Sequence, residues 1–112
     1  MKCIMMLNKE LANFHLCSTG DECHIVSFEE PIANKATKGH VIWNEVPNEG
    51  SCRVMCCMEP NCLSINVRPS QGGKYKCELN NSTADVTFLE NWDTAFYLAV
   101  KVNLFRITIT VF

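Results

Sequence analysis

The sequence predicts an α+β domain: a sheet covered by one short α-helix and stapled by disulfides. Three observations lead there. Short runs of β-branched and aromatic residues are separated by Pro, Gly and Asn, one stretch has helical cysteine spacing, and the 112 residues include eight cysteines. That length makes one domain, large enough for a core yet small enough for covalent staples to matter. Ten Lys and Arg against twelve Asp and Glu leave a net charge of -2, so no whole-chain field exists to hold nucleic acid or an anionic membrane surface. No run reaches the roughly eighteen apolar residues of a membrane span.

Residues 1–22 show no sustained period and carry Cys3 and Cys17 among polar residues, which reads as a poorly ordered N-terminal extension. The opening "MKCIMML" has a basic start, but its apolar run stops at Asn8, Lys9 and Glu10 and makes no clean export signal. The expectation is a module of a larger multidomain protein or an incomplete gene model. From Cys23, "CHIVSF" and "HVIWNEV" read as two strands, with the polar "EEPIANKATKG" between them and Pro47 ending the second.

"NEGSCRVMCCME" is the helix. Asn48 or Ser51 can cap it, Glu49 lies near the positive end of its dipole, and Pro60 stops it. Cys52 and Cys56 stand at i and i+4 on one face with Met55, while Cys57 is turned about 100° from Cys56. "CLSINV" alternates Leu63, Ile65 and Val67 against Ser64 and Asn66, a half-buried strand, and "RPSQGG" turns it. "KYKCELN" alternates Tyr75, Cys77 and Leu79 against Lys76 and Glu78, which brings Cys77 to the apolar side that the helix must cover. "TAFYLAV" reads as the closing strand. Residues 101–112 follow as an apolar tail, expected to be dispensable and foreign to the fold, with read-through near Val100-Lys101 as its origin. Against this, Ile107, Ile109 and Val111 alternate with Thr108 and Thr110, a pattern that suits an edge strand.

The stretch "SCRVMCCMEPNC" invites three chemistries. Zinc needs two ligand pairs, and Cys52-x₃-Cys56 supplies only one; Cys62 and Cys77 stand apart, and His15, His24 and His40 lack ligand spacing. A redox centre lacks its C-x-x-C. A structural staple fits the geometry: one helical cysteine reaches the strand cysteine Cys77, and the other reaches Cys62 just beyond the helix end. No metal or cofactor is expected.

The string Cys52-x₃-Cys56-x₅-Cys62-x₁₄-Cys77-Glu-Leu, with "NCLSINV" inside it and "GHVIWNEV" before the helix, resembles the PAN/apple domain family, particularly versions in extracellular proteins of marine invertebrates. The similarity runs from about Cys23 to Val100, so the PAN/apple-like domain is placed at residues 23–100. The resemblance implies a twisted antiparallel sheet cradling one helix, with Cys52 bonded to Cys77 and Cys56 to Cys62. In the loop-entropy model these closures contribute ~3.5 and ~2 kcal/mol. Many relatives add a disulfide between the terminal strands, and Cys23 stands where its first half would be. No cysteine follows Cys77, so Cys23 is left to pair with Cys17 or Cys3, to stay free, or to bond another chain. Cys57 also departs from the family pattern and is expected to be a buried thiol behaving as a small hydrophobe.

Other candidates lie on the surface. "NNST" holds two overlapping N-glycosylation sequons, at Asn80 and Asn81. Arg68, Lys74 and Lys76 come together if "LSINVR" and "KYKCEL" form a hairpin, a basic patch suited to a sulfated glycan. Trp43, Tyr75, Trp92 and Tyr97 are candidate sugar-stacking residues, with Trp43 and Tyr75 expected in the core. No G-x-S-x-G elbow or nucleophile-base arrangement accompanies the serines, and Glu29-Glu30 reads as a solvated pair, so an enzyme is not expected. The expected function is a non-catalytic extracellular recognition or adhesion module for protein or carbohydrate ligands. The alternative is a matrix assembly element cross-linked through unpaired cysteines among Cys3, Cys17, Cys23 and Cys57.

Overall fold

A computed structural model describes residues 14–19, 22–37, 42–85 and 89–105. Among these, the elements run β1 (Phe14–Thr19), β2 (Glu22–Phe28), β3 (Ile32–Ala36), β4 (Ile42–Val46), α1 (Glu49–Met58), β5 (Ser64–Pro69), β6 (Tyr75–Asn80) and β7 (Glu90–Phe105). All strand pairs are antiparallel, in the order β1-β2-β7-β5-β6-β4, with β3 also paired to β7. The long β7 is the spine. Its first part pairs with β3, its middle with β5 and its last part with β2, so one strand joins both wings of the sheet.

The helix is fixed locally. Asn48 Oδ1 accepts from the Ser51 backbone N–H at 2.9 Å and from the Ser51 hydroxyl at 3.1 Å, satisfying groups the first turn leaves open. Arg53 donates to Glu49 at 2.7 Å, with the acid on the N-terminal side, the favourable i,i+4 orientation. Beyond the last turn, the Glu59 N–H donates to the Cys56 carbonyl at 3.2 Å and the Cys62 N–H to the Glu59 carbonyl at 3.0 Å. This bend around Pro60 returns the chain to the sheet as β5. The turn from β5 to β6 needs left-handed backbone at Gly72 (φ 69°) and Gly73 (φ 75°), which glycine adopts without a Cβ penalty.

One core lies between α1 and the β5-β6-β7 region, built from Val46, Cys52, Cys56, Cys62, Ile65, Val67, Cys77, Leu79 and Leu98. A second lies under the other wing and contains Cys17, Val26 and Cys57. Phe28 and Val100 pack against both. The rotation between neighbouring helical residues explains the division: Cys52 and Cys56 face β5 and β6, whereas Cys57 faces β1 and β2. Disulfides follow the same division, with Cys52 bonded to Cys77, Cys56 to Cys62, and Cys17 to Cys57. One helix thus ties both wings of the sheet.

Several expectations are corrected. Cys17 and Cys57 are paired with each other, so Cys57 is no free thiol and Cys17 is not the partner of Cys23; Cys23, whose state the sequence left open, is disulfide-bonded. Cys3 lies outside the described residues, and no described cysteine is free. Residues 14–19, expected in a loose extension, form β1 and pair in register with β2 from Phe14↔Ser27 to Thr19↔Glu22. The polar segment after β2 contains β3, because pairing with β7 satisfies its backbone despite its exposed side chains. The tail begins inside the sheet: Val102 to Phe105 pair with Ser27 to His24, while Ile107, Ile109 and Val111 lie outside the described residues. β5 is not half-buried, since Ser64 and Asn66 are as inaccessible as Ile65 and Val67. Its second face is covered by connections that bond to it. Asn66 accepts from the Thr37 N–H at 3.0 Å and donates to the Thr37 carbonyl at 2.8 Å. Ser64 Oγ donates to the Ser82 carbonyl at 2.6 Å.

His15, on β1, meets the edge of the Phe28 ring at 6.0 Å. Burial, and secondarily the positive charge of Arg53, push its imidazole below the ordinary value of 6.5. The unfolded chain therefore binds more protons than the native one just below pH 6.5. The site costs nothing above that value; stability falls as pH drops from 6.5 towards the lowered native pKa and levels off below it. Chemical denaturation between neutral and mildly acidic pH should show a loss in the wild type that shrinks in His15→Gln. Identical pH profiles would remove His15 from the account.

Candidate functional site

The face of the sheet opposite α1 carries the most unusual surface. In an antiparallel pair, residues directly opposite share a face. Trp43 on β4 lies opposite Glu78 on β6, which lies opposite Asn66 on β5, which lies opposite Tyr97 on β7. One step along, Glu45 lies opposite Lys76, which lies opposite Arg68. The helix covers the other face; on this one Asn66, Glu78 and Tyr97 are buried while the two indoles are exposed.

The side chains form a continuous run. Lys76 Nζ stands over the Trp43 ring at 4.8 Å from its centroid, and the Arg68 guanidinium lies over the Trp92 ring at 3.6 Å. Arg68 Nη2 donates to Glu78 Oε2 at 3.0 Å. Glu78 is only 2% exposed, so this bond keeps a buried carboxylate beside its counter-charge. At the turn end, the Ser70 hydroxyl donates to Glu45 at 2.8 Å. Trp43 and Trp92 thus flank a polar centre of Arg68, Glu78 and Lys76, and they remain 55% and 41% exposed. Neighbouring strands lie about 4.8 Å apart, so β4 and β7, which carry Trp43 and Trp92 three steps apart, are separated by roughly 14 Å.

A local irregularity places Trp92. The β3-β7 register shifts between Ala33 and Lys35, and Asn34 (φ 58°) and Thr94 (φ 66°) both adopt left-handed backbone. The Thr94 N–H donates to Asn34 Oδ1 at 3.1 Å, and Lys35 donates to Asn91. Left-handed backbone is costly for the β-branched Thr94. Bulges of this kind re-aim neighbouring side chains, and here the neighbour is the indole stacked on Arg68.

The residues singled out from sequence divide accordingly. Arg68 and Lys76 come together, but Arg68 is neutralised by Glu78 and Lys76 is spread over an indole; Lys74 is exposed in the turn. The expected cation cluster is therefore an aromatic face with cations behind it. Trp43, expected in the core, is exposed, since β4 is paired only with β6 among the described residues and its indole points away from the helix. Tyr97 is 1% exposed and its hydroxyl accepts from the Ala84 N–H at 3.0 Å, while Tyr75 is half-buried against the main core. Asn80 is buried and Asn81 exposed. The β3-β7 bulge had no sequence signal beyond Asn34, a residue type that tolerates left-handed backbone.

No helix among the described residues is long and apolar enough to cross a membrane, and the disulfides suit an oxidising compartment. The chain matches no family model, and neither a curated protein nor a solved structure is detectably similar to it.

Proposed function

We propose that this chain is a non-catalytic extracellular recognition module of PAN/apple type that binds carbohydrate across the face carrying Trp43 and Trp92. The observation that carries this reading is the pair of exposed indoles on one sheet face, each stacked with a cation. Exposed tryptophans held in place offer flat apolar surfaces to the C–H faces of pyranose rings, while neighbouring polar groups set orientation. The family part of the proposal is supported by one helix on an antiparallel sheet with Cys52 bonded to Cys77 and Cys56 to Cys62.

Since Arg68 is tied to Glu78, ring stacking rather than net positive charge supplies most of the affinity, and Lys76 takes any acidic substituent. Binding should therefore weaken only modestly as salt is raised. A glycan array probed with the disulfide-intact chain identifies the sugar. Trp43→Ala and Trp92→Ala should each then reduce affinity about tenfold, equal to ~1.4 kcal/mol. The melting temperature of Trp43→Ala should stay near wild type, whereas Trp92→Ala, which also loses the stack on Arg68, should melt slightly lower. Affinity that collapses with salt and ignores both substitutions would instead indicate a sulfated ligand held by lysines.

A further inference from the structure

We infer that Asn81 is a site of N-linked glycosylation and that the overlapping sequon at Asn80 is excluded by the fold. Both Asn80-Asn81-Ser82 and Asn81-Ser82-Thr83 satisfy the acceptor pattern, so the sequence treats the two asparagines alike. The structure does not. Asn80 is the last residue of β6 and is 1% exposed. Its Nδ2, the atom that would carry the sugar, donates to Ser64 Oγ at 3.2 Å, and Ser64 Oγ donates onward to the Ser82 carbonyl at 2.6 Å. Its backbone carbonyl accepts from the Leu63 N–H at 2.8 Å. A sugar on Asn80 Nδ2 would enter the layer between β5 and the chain crossing it, so a chain modified there cannot reach this fold.

Asn81 is one residue past the strand and exposed; it lines an open cleft of about 360 Å³ with Ile42, Pro60, Leu63 and the buried Asn80. Nothing in the fold asks its side chain to be buried. The reaction takes an oligosaccharide from a lipid-linked pyrophosphate donor. The bond from the anomeric carbon to the pyrophosphate oxygen breaks, with its electron pair leaving on the lipid pyrophosphate. The anomeric carbon bonds to Asn81 Nδ2, which releases one proton.

The overlap allows a clean test, because each sequon depends on a different hydroxyl residue. Ser82→Ala removes only the Asn80 sequon and keeps the Ser82 carbonyl that Ser64 bonds; Thr83→Ala removes only the Asn81 sequon. Each chain is made with an added export signal in eukaryotic cells, and secreted, disulfide-intact protein is weighed before and after peptide-N-glycanase. Wild type and Ser82→Ala should carry one glycan, and Thr83→Ala none. As a check that needs no variant, glycanase treatment of wild type in heavy-oxygen water should place the label at position 81. Label at position 80, an unglycosylated wild type, or a secreted Thr83→Ala protein that keeps its glycan would overturn the inference. The supplied signal and the mass readout make the result independent of whether the tryptophan face binds sugar.

Discussion

Replacing Cys52 and Cys77 together by alanine is expected to lower the unfolding free energy by about 3.5 kcal/mol and the melting temperature by roughly 15 °C. The bond closes a loop with a sequence separation of 25 and ties the middle of α1 to β6 at two positions that are both 0% exposed. Without it, the unfolded chain regains the freedom the loop denied it, against a total stability of only about 5–15 kcal/mol for a domain of this kind. The Cys56 to Cys62 bond spans a separation of 6, and its removal should cost less, ~2 kcal/mol. Urea titration of the two double variants measures both. The reverse order would mean that the helix is held to the sheet mainly by packing rather than by its covalent tie.

Deleting residues 102–112 is the second large effect, expected to destabilise the protein by about 3 kcal/mol. Val102 to Phe105 form the part of β7 that pairs with Ser27 to His24, and on its other side β2 pairs with β1. The deletion removes that ladder and uncovers an edge at which Ile25 and Val26 are now 3% and 2% exposed. Fully exposing two such side chains would cost about 1.5–3 kcal/mol apiece. The β1-β2 wing would then be held by the Cys17 to Cys57 bond and by the remaining pairing of Phe28 with Val100. Thermal melts of full-length and shortened chains, both oxidised, give the answer. Equal melting temperatures with better solubility for the shortened chain would show that the tail is foreign to the fold, as its lack of cysteine suggested.

The sequence was most legible where the determinants were local. Asn48, Ser51, Glu49 and Pro60 bound the helix within a dozen residues, and the i,i+4 spacing of Cys52 and Cys56 with the phase of Cys77 brought two disulfides within reach. What distant chain segments decide was not legible. Ser64 and Asn66 looked solvated because Thr37 and Ser82, which cover them, come from connections with no pattern of their own. Trp43 follows the equally apolar Ile42, so alternation alone could not say which side chain faced the helix; the register opposite Glu78 decides it. Cys17 lies 40 residues from Cys57 in a stretch without period. The one available hint was that Cys57 is rotated away from Cys56 and so faces another part of the fold.

The central claim is that sugar binds across the indoles of the polar face, and the composition makes it directly measurable. The chain has only two tryptophans, and both stand on that face. Intrinsic tryptophan fluorescence therefore reports this surface alone. Titrating the disulfide-intact chain with the saccharide that scores highest on a glycan array should shift or quench the emission in a saturable way and protect both indoles from acrylamide. A saccharide that binds by calorimetry while emission and acrylamide quenching stay unchanged would place its site elsewhere and contradict the account.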